Sequence, residues 1–438
     1  MQNKKIQLAI DYTLIISGVL ILLICVPYQF YGDGWIRFQA ISAFFQTGQI
    51  LPIKYSFVGP LFSLPLVWLD ALWDGNPLTL RYNGILLFIG ITALSLILYK
   101  HLYLRIINRF VLLLIIGTMF TSNIRFYHGE VFTAILASIG LAALATKGWG
   151  WGAVVLGVLN TPVTFAGLFL VAIRRIWISK KMRFLLPLLL TIVLILVEAK
   201  IRLGSFFTTG YENDKGFQTL MPYSGQPGFS YPFFFGLLSI LFSFGKGLIF
   251  FAPGLLLPLG KRVDEEKNHT IMEFYRICMM FLLGMILIYS KWWSWYGGWS
   301  FGPRFFLFAS IPASLTIAVY LDQPSENLLE NLLVLTILTL SVWVGVCGAV
   351  FHMDNLRFGM ANNYALEPFI WYVPEFSALW HPFINRNKLL LNDYLIIIYA
   401  DIILLYLGYP TFFKLMRQLK MNLKNVYHSM KPWSKWGF

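Results

Sequence analysis

KKIQLAIDYTLIISGVLILLICVPYQFYGDGWIR, residues 4–37, is the stretch from which the fold class follows. Two lysines precede a run without charge from Tyr12 to Gly32. About 20 apolar residues are enough to cross a bilayer as an α-helix. The basic start and apolar middle are those of a signal peptide, but the run is long and no small-residue cleavage site follows, so it reads as an uncleaved first span. The lysines place the N-terminus inside and Asp33 outside.

The rest of the chain repeats this chemistry. Of 438 residues, 58% are hydrophobic and 12% charged, where a soluble domain is about one quarter charged. That excludes an ordinary soluble enzyme, a disordered chain and a coiled coil. Further spans are expected near 82–99, 107–124, 130–146, 149–173, 184–201, 246–260, 274–290, 305–321, 331–350 and 393–412, giving an all-α polytopic bundle of about 10–13 spans. The segment 149–173 is interrupted at Asn160-Thr161-Pro162, which points to a broken helix or a tight hairpin. Residues 1–413 read as one membrane domain and 414–438 as a basic cytoplasmic tail.

Charge supports the topology. Lys+Arg total 34 against 20 Asp+Glu, a net charge of +14. In a membrane protein this excess belongs to cytoplasmic loops and anionic lipid rather than to nucleic acid. Loops assigned inside carry Lys100, Arg105, Arg109, Arg174, Arg175, Lys180, Lys181 and Arg262, and the tail adds Lys414, Arg417, Lys420 and Lys424. Both termini are therefore expected in the cytoplasm of a multi-pass plasma (inner) membrane protein. The three cysteines lie in apolar segments, with no disulfide or metal spacing. The sequon Asn268-His269-Thr270 falls on the inner side.

The first outer loop, 33–81, is not simple membrane helix. From Arg37 to Gln49, Phe38, Ile41, Phe44 and Phe45 recur at helical spacing until Gly48, as in an amphipathic interfacial helix. Phe57–Leu69 is short and holds Pro60 and Pro65, a second interfacial or re-entrant piece. Two more outer loops are long, 202–232 and 351–392. Loops of that length cover a site or carry structure of their own.

Polar groups with chemical potential stand at helix junctions on this outer side. Asp33 sits between two glycines beside Arg37, as a functional acid or as a solvated partner of that arginine. His128 and Glu130 follow Phe126-Tyr127; Glu130 can orient a hydroxyl or a cation, or face a helix dipole as its first residue. The block Lys291-Trp292-Trp293-Ser294-Trp295-Tyr296-Gly297-Gly298-Trp299-Ser300-Phe301-Gly302-Pro303-Arg304 is the richest. An aromatic belt explains its tryptophans. The small residues, with Pro303 and Arg304 at a helix start, add an anion site, while Trp295 and Tyr296 offer faces for a sugar or an isoprenoid. Lys246 between Gly245 and Gly247, and Lys54 before Tyr55, can hold a phosphate or reach toward the headgroups. Glu198 and Asp401 are acids inside apolar segments and require partners. His352, Asp354, Arg357 and Glu367 lie in the last outer loop. There is no P-loop, no His-Glu-x-x-His and no metal spacing among the histidines.

Taken in order, Gly32-Asp33-Gly34, Lys54-Tyr55, Leu80-Arg81-Tyr82, Phe126-Tyr127-His128-Gly129-Glu130, Gly245-Lys246-Gly247 and the Trp-rich block resemble the GT-C superfamily of membrane glycosyltransferases. The likeness is to its polyprenyl-phosphate-sugar-dependent members, related to protein mannosyltransferases and aminoarabinose transferases, and runs from Lys4 to about Leu321. The resemblance implies many transmembrane helices with interfacial helices in the first outer loop. It implies a sugar donated from a polyprenyl phosphate to a lipid, glycan or protein acceptor on the outer face, with inversion. Asp33 would be the base. Lys246, Arg304 and Lys54 would bind the donor phosphate, and Arg37, His128, Glu130, Trp295 and Tyr296 the sugar or acceptor. No metal site is implied, although one carboxylate with a substrate phosphate can hold a divalent cation weakly. The competing expectations are a transporter or flippase for lipid-linked glycans, motivated by Pro162 and Asp401, and a ligase or polymerase of such glycans.

Overall fold

A computed structural model of the chain describes residues 2–72, 77–263, 269–351, 356–385 and 388–430. His352 and Asp354, the side chain of Arg357, and Asn268 of the sequon lie outside the described residues or side chains. The described residues are helical, with isolated bridges at Gln29–Phe126 and Lys215–Pro227.

Helix α1 (Gln2–Cys25) is followed by α2 (Asp33–Thr47), α3 (Val58–Leu61) and α4 (Leu64–Ala71) in the first loop. Next come α5 (Tyr82–Leu98), α6 (Leu104–Ile116), α7 (Phe120–Asn123), α8 (Glu130–Ala145), α9 (Trp151–Asn160), α10 (Phe165–Ser179) and α11 (Leu186–Leu203). After the second outer loop stand α12 (Phe233–Phe242), α13 (Leu248–Phe251), α14 (His269–Tyr289), α15 (Ser310–Asp322) and α16 (Leu328–Val346). The last outer loop holds α17 (Leu356–Gly359), α18 (Glu367–Tyr372) and α19 (His381–Ile384), and α20 (Leu391–Met430) ends the described chain. Among the described residues, eight helices are long and apolar enough to cross a membrane, and α8, α9 and α12 are shorter apolar helices. The all-α polytopic bundle expected from sequence is thus the architecture.

The expected span at 246–260 is different: it folds as α13 and two short 3-10 turns. Pro253 and Pro258 remove backbone donors there, and a continuous helix cannot form around them. Helix α20 runs on to Met430 and carries Lys414, Arg417, Lys420 and Lys424 on its own turns.

The interior is built on α6 and α15, which are buried almost throughout. Helix α15 packs on α6, with α1, α16 and α20 around them and α5, α8 and α9 on the other side. A lipid bilayer supplies no hydrophobic drive between helices, so close packing does the work. Gly345 shows how: a Cβ there would collide with the Ile116 carbonyl, so only glycine lets α16 lie against the end of α6. Helices α10, α11 and α12 form an apolar flank, with Trp177, Leu186, Val193 and Phe234 exposed.

The first outer loop forms its own small core. Helix α2 begins at Asp33, four residues earlier than the apolar spacing indicates, and ends at Gly48 with φ 72°. Its face of Gly34, Arg37, Ala40 and Ile41 is buried. Ala40, Ile41, Phe57, Tyr82, Tyr127 and Phe132 pack together there. The two long outer loops meet each other, as the Leu220 N–H donates to the Ala365 carbonyl at 3.2 Å and Phe217 stacks on Tyr364 with centroids 3.9 Å apart.

Candidate active site

Arg304 is the point at which distant segments converge. Its Nη2 donates to Asp33 Oδ2 at 2.6 Å and its Nη1 faces His128 Nδ1 at 3.3 Å. Its Nε lies 3.5 Å from Glu130 Oε1. A guanidinium offers five donors in a fixed fork, so one side chain hydrogen-bonds Asp33 and His128 while its charge also pairs with Glu130. The arginine always donates, so Nδ1 of His128 is the accepting nitrogen. Burial, and next the Arg304 charge, pull His128 down to about 4, and the ring is neutral at ordinary pH.

Asp33 opens α2 and keeps 30% of its side chain exposed. Its second oxygen accepts from the Tyr55 hydroxyl at 2.5 Å. Burial pushes the carboxyl up. The Arg304 charge and the bonds from Tyr55 and Arg304 outweigh it, leaving Asp33 well below the usual carboxylate range. Burial and the neighbouring Asp33 push the Tyr55 phenol upward, so it remains a donor.

The supports of these groups are local and specific. The Gln29 N–H donates to the Arg125 carbonyl at 2.9 Å, tying the end of α1 to the approach of α8. Asn83 Nδ2 donates to the carbonyls of Phe126 and His128 at 2.6 and 2.8 Å and fixes His128, whose ring stacks on Phe126. Tyr55 is held from two sides. Arg37 donates to the Ser56 carbonyl at 3.2 Å and lies 4.8 Å over the Tyr55 ring. Glu198 accepts from the Phe57 N–H at 3.0 Å and from Arg202 at 2.8 Å, and Arg202 also donates to the Ile53 carbonyl. The acid in α11 therefore has its partner one helical turn away.

The interruption at Asn160-Thr161-Pro162 belongs to the same framework. Asn160 accepts from the Gly59 N–H at 3.1 Å and donates to the Gly129 carbonyl at 2.7 Å. Thr161 and Thr133 hydroxyls lie 2.8 Å apart. The freed backbone is satisfied by side chains, and the break joins α3 to the start of α8 beneath Glu130. Asp401 is exposed on α20, not buried among helices as its sequence position suggests. The two features behind the transporter expectation thus form no shared path.

The Trp-rich block is a loop wrapped around Arg304. Gly297, Gly298 and Gly302 have φ of 80°, 67° and 60°, a backbone region that side-chain-bearing residues avoid. Lys246 lies beneath it, 2% exposed. Its ammonium donates to the carbonyls of Gly298, Ser300 and Gly302 at 3.2, 2.7 and 3.0 Å. An ammonium has three hydrogens, and all three are engaged. Burial and the Arg304 charge pull Lys246 down to about 7, whereas the three carbonyls favour its charged form.

The remaining expected residues divide. Lys54 pairs with Asp214 at 2.9 Å and lies over the rings of Tyr55 and Tyr211, on the rim of the cluster. Trp295 and Tyr296 are buried, 1% and 5% exposed, and do not face it. Tyr296 stacks on Trp371 with centroids 4.1 Å apart, and Trp295 meets Trp371 edge-on. Their place is a correction to the expectation of sugar-facing rings: the last outer loop supplies aromatic partners that cover them. Glu367 accepts from Trp299 Nε1 at 2.9 Å and from the Tyr296 hydroxyl at 3.4 Å, and burial pushes it up to about 7. Sequence reading missed Tyr211 and Asp214, which carry no periodic or motif signal. Among the described residues no group of three His, Cys, Asp or Glu side chains is placed to hold a metal ion.

This polytopic helical chain with an interfacial first loop shares its fold with a solved structure. It superposes on the crystal structure of ArnT from Cupriavidus metallidurans in the apo state with a TM-score of 0.52, at 14% identity, over 91% of this chain and 76% of that one. No family model and no curated protein sequence matches the chain.

Proposed function

We propose that the protein is an integral membrane glycosyltransferase. It moves a sugar from a polyprenyl-phosphate donor to an acceptor at the membrane face that carries Asp33, with inversion at the anomeric carbon. The observation that carries this reading is the convergence of Asp33, His128 and Glu130 on Arg304. An acid for the acceptor and a fork for a phosphate stand in contact there, on a fold shared with ArnT.

In the resting site Asp33 is a weak base, because Arg304 neutralises it. A donor phosphate entering the Arg304 fork loosens that pair and raises the proton affinity of Asp33. The acceptor hydroxyl or amine then gives its proton to Asp33 as its oxygen or nitrogen bonds to the anomeric carbon, and the sugar–phosphate C–O bond breaks. Arg304 stabilises the charge on the departing phosphate. Tyr55 holds the free Asp33 oxygen, and Glu130 and His128 align the guanidinium. Lys246 acts at one remove, by holding the loop from which Arg304 projects. Lys54 extends the cationic rim, and Trp295 and Tyr296 anchor that loop on Trp371.

Mass spectrometry of lipids and envelope glycans from a deletion strain tests the reading. With Asp33→Asn, a polyprenyl-phosphate sugar accumulates and one glycan lacks that sugar, although the variant is made at normal levels. Full rescue by Asp33→Asn removes Asp33 as base. Accumulation of a completed lipid-linked glycan instead establishes export or ligation.

A further inference from the structure

A second polar cluster lies near the opposite end of α1 from Asp33. Asp11 precedes Cys25 by fourteen residues, about 21 Å along a helix. It is 5% exposed, yet it sits on the first membrane-crossing helix. Tyr406 donates to one of its oxygens at 2.5 Å and Asn108 to the other at 2.8 Å. Arg109 and Arg105 lie on the same side of α6 and both reach Asp322 Oδ1, at 3.2 and 3.3 Å. Asp11 lies within the span, where an ionisable group is costly.

These groups do more than join helices, because they line open space. A cavity of about 560 Å³ runs between α1, α6 and α20, lined by Asp11, Arg105, Arg109 and Tyr406 on its polar side and by Ile10 and Leu405 on its apolar side. Ile10 and Leu405 are 42% and 71% exposed, so the apolar wall opens sideways toward lipid. The Arg105 side chain is 46% exposed and has donors beyond the one turned to Asp322. Each Asp11 oxygen has a further lone pair beyond the bond it accepts. The lining carries Arg105, Arg109 and Asp11, and Asp322 behind it pairs with both arginines, so the four groups together carry both signs and no net charge. The matching occupant is itself neutral and dipolar, with an apolar chain leaving through the side.

We propose that this cavity holds the headgroup of a zwitterionic aminophospholipid of the leaflet opposite the Asp33 site. Its phosphate lies on Arg105, its primary ammonium donates to Asp11, and an acyl chain lies along Ile10 and Leu405. The site is independent of the transferase reading.

The full-length protein is equilibrated in nanodiscs of equal phosphatidylethanolamine, phosphatidylglycerol and phosphatidylcholine, released into detergent and weighed by native mass spectrometry. One phosphatidylethanolamine stays bound per chain, favoured about tenfold over either competitor, the scale of one charge-assisted hydrogen bond. Leu405→Trp fills the groove from an exposed position and lowers retention about tenfold without changing the unfolding temperature. Asp11→Asn keeps the side-chain shape and brings phosphatidylethanolamine and phosphatidylcholine to within about twofold, because the quaternary ammonium never had a hydrogen for Asp11. Equal retention of phosphatidylglycerol, equal retention of phosphatidylcholine by the wild type, or unchanged retention in Leu405→Trp overturns the proposal.

Discussion

Arg304 and Lys246 offer the same thing in sequence, a cation among glycines at the start of an outer segment, and the fold gives them opposite surroundings. Arg304 faces Asp33, His128 and Glu130, groups that an arriving anion can displace or reorganise. Lys246 faces three carbonyls of one loop and has no hydrogen left to give. On the proposed function the first is a site; the second is a fastener for the loop on which Arg304 stands. A buried cation is assigned by what it touches rather than by the residues beside it in the chain.

Arg304→Lys is the largest test of this contrast. It keeps the charge and removes the fork, and one ammonium cannot reproduce the three separate nitrogens that face Asp33, His128 and Glu130. Transfer by the purified protein falls about 100- to 1,000-fold, the usual cost of one lost transition-state donor, while thermal unfolding stays close to wild type. A lysine that restores the rate would break the comparison, since the site would then need charge alone. Lys246→Met reverses the pattern. Each orphaned buried carbonyl costs about 1–3 kcal/mol, so stability drops by roughly 3 kcal/mol or more in thermal unfolding, and the molecules that remain folded still bind donor.

The sequence carried the bundle, and for definite reasons. Apolar runs bounded by basic loops leave few alternatives to transmembrane helices. Gly48 ends α2 as its left-handed conformation requires. Asp33, His128, Glu130 and Arg304 were legible because each stands at a helix start, where few residue types recur without cause. What sequence could not convey was orientation. The Trp-rich block signals a loop, but nothing in it tells that Trp295 and Tyr296 turn inward onto Trp371. That depends on an outer loop more than sixty residues away. Asp214 was unreadable for the same reason, since its partner Lys54 is 160 positions distant. The pair Glu198 and Arg202 was legible in principle, being one helical turn apart.

Glu367 sharpens the fastener side of the comparison. Burial pushes it from its ordinary 4.5 to about 7. Between those values the folded protein keeps a proton that the unfolded chain releases. Stability from this group is therefore complete below about pH 4.5 and is lost as pH rises through 7. The slope is at most about 1.4 kcal/mol per pH unit. Glu367→Gln retains acceptance from Trp299 and flattens that part of the thermal-unfolding profile. An unchanged slope would place the titration elsewhere.

Lys54 stands between the two cations, and its effect is the smallest. It is neither enclosed like Lys246 nor shared among acids like Arg304. Its side chain and that of Asp214 are 32% and 27% exposed, so water screens the pair. Such pairs are worth about 0–1 kcal/mol. The pair matters for what it connects, because Asp214 belongs to the long outer loop and Tyr211 of that loop meets Tyr55 edge-on at 6.3 Å. Asp214→Asn should raise the KM for donor no more than about fivefold and leave kcat unchanged, since the loop loses one tether and the Arg304 cluster loses nothing. A fall in kcat comparable to that of Arg304→Lys would show instead that the loop must close on Tyr55 for chemistry. It would also move Lys54 from the rim into the working part of the site.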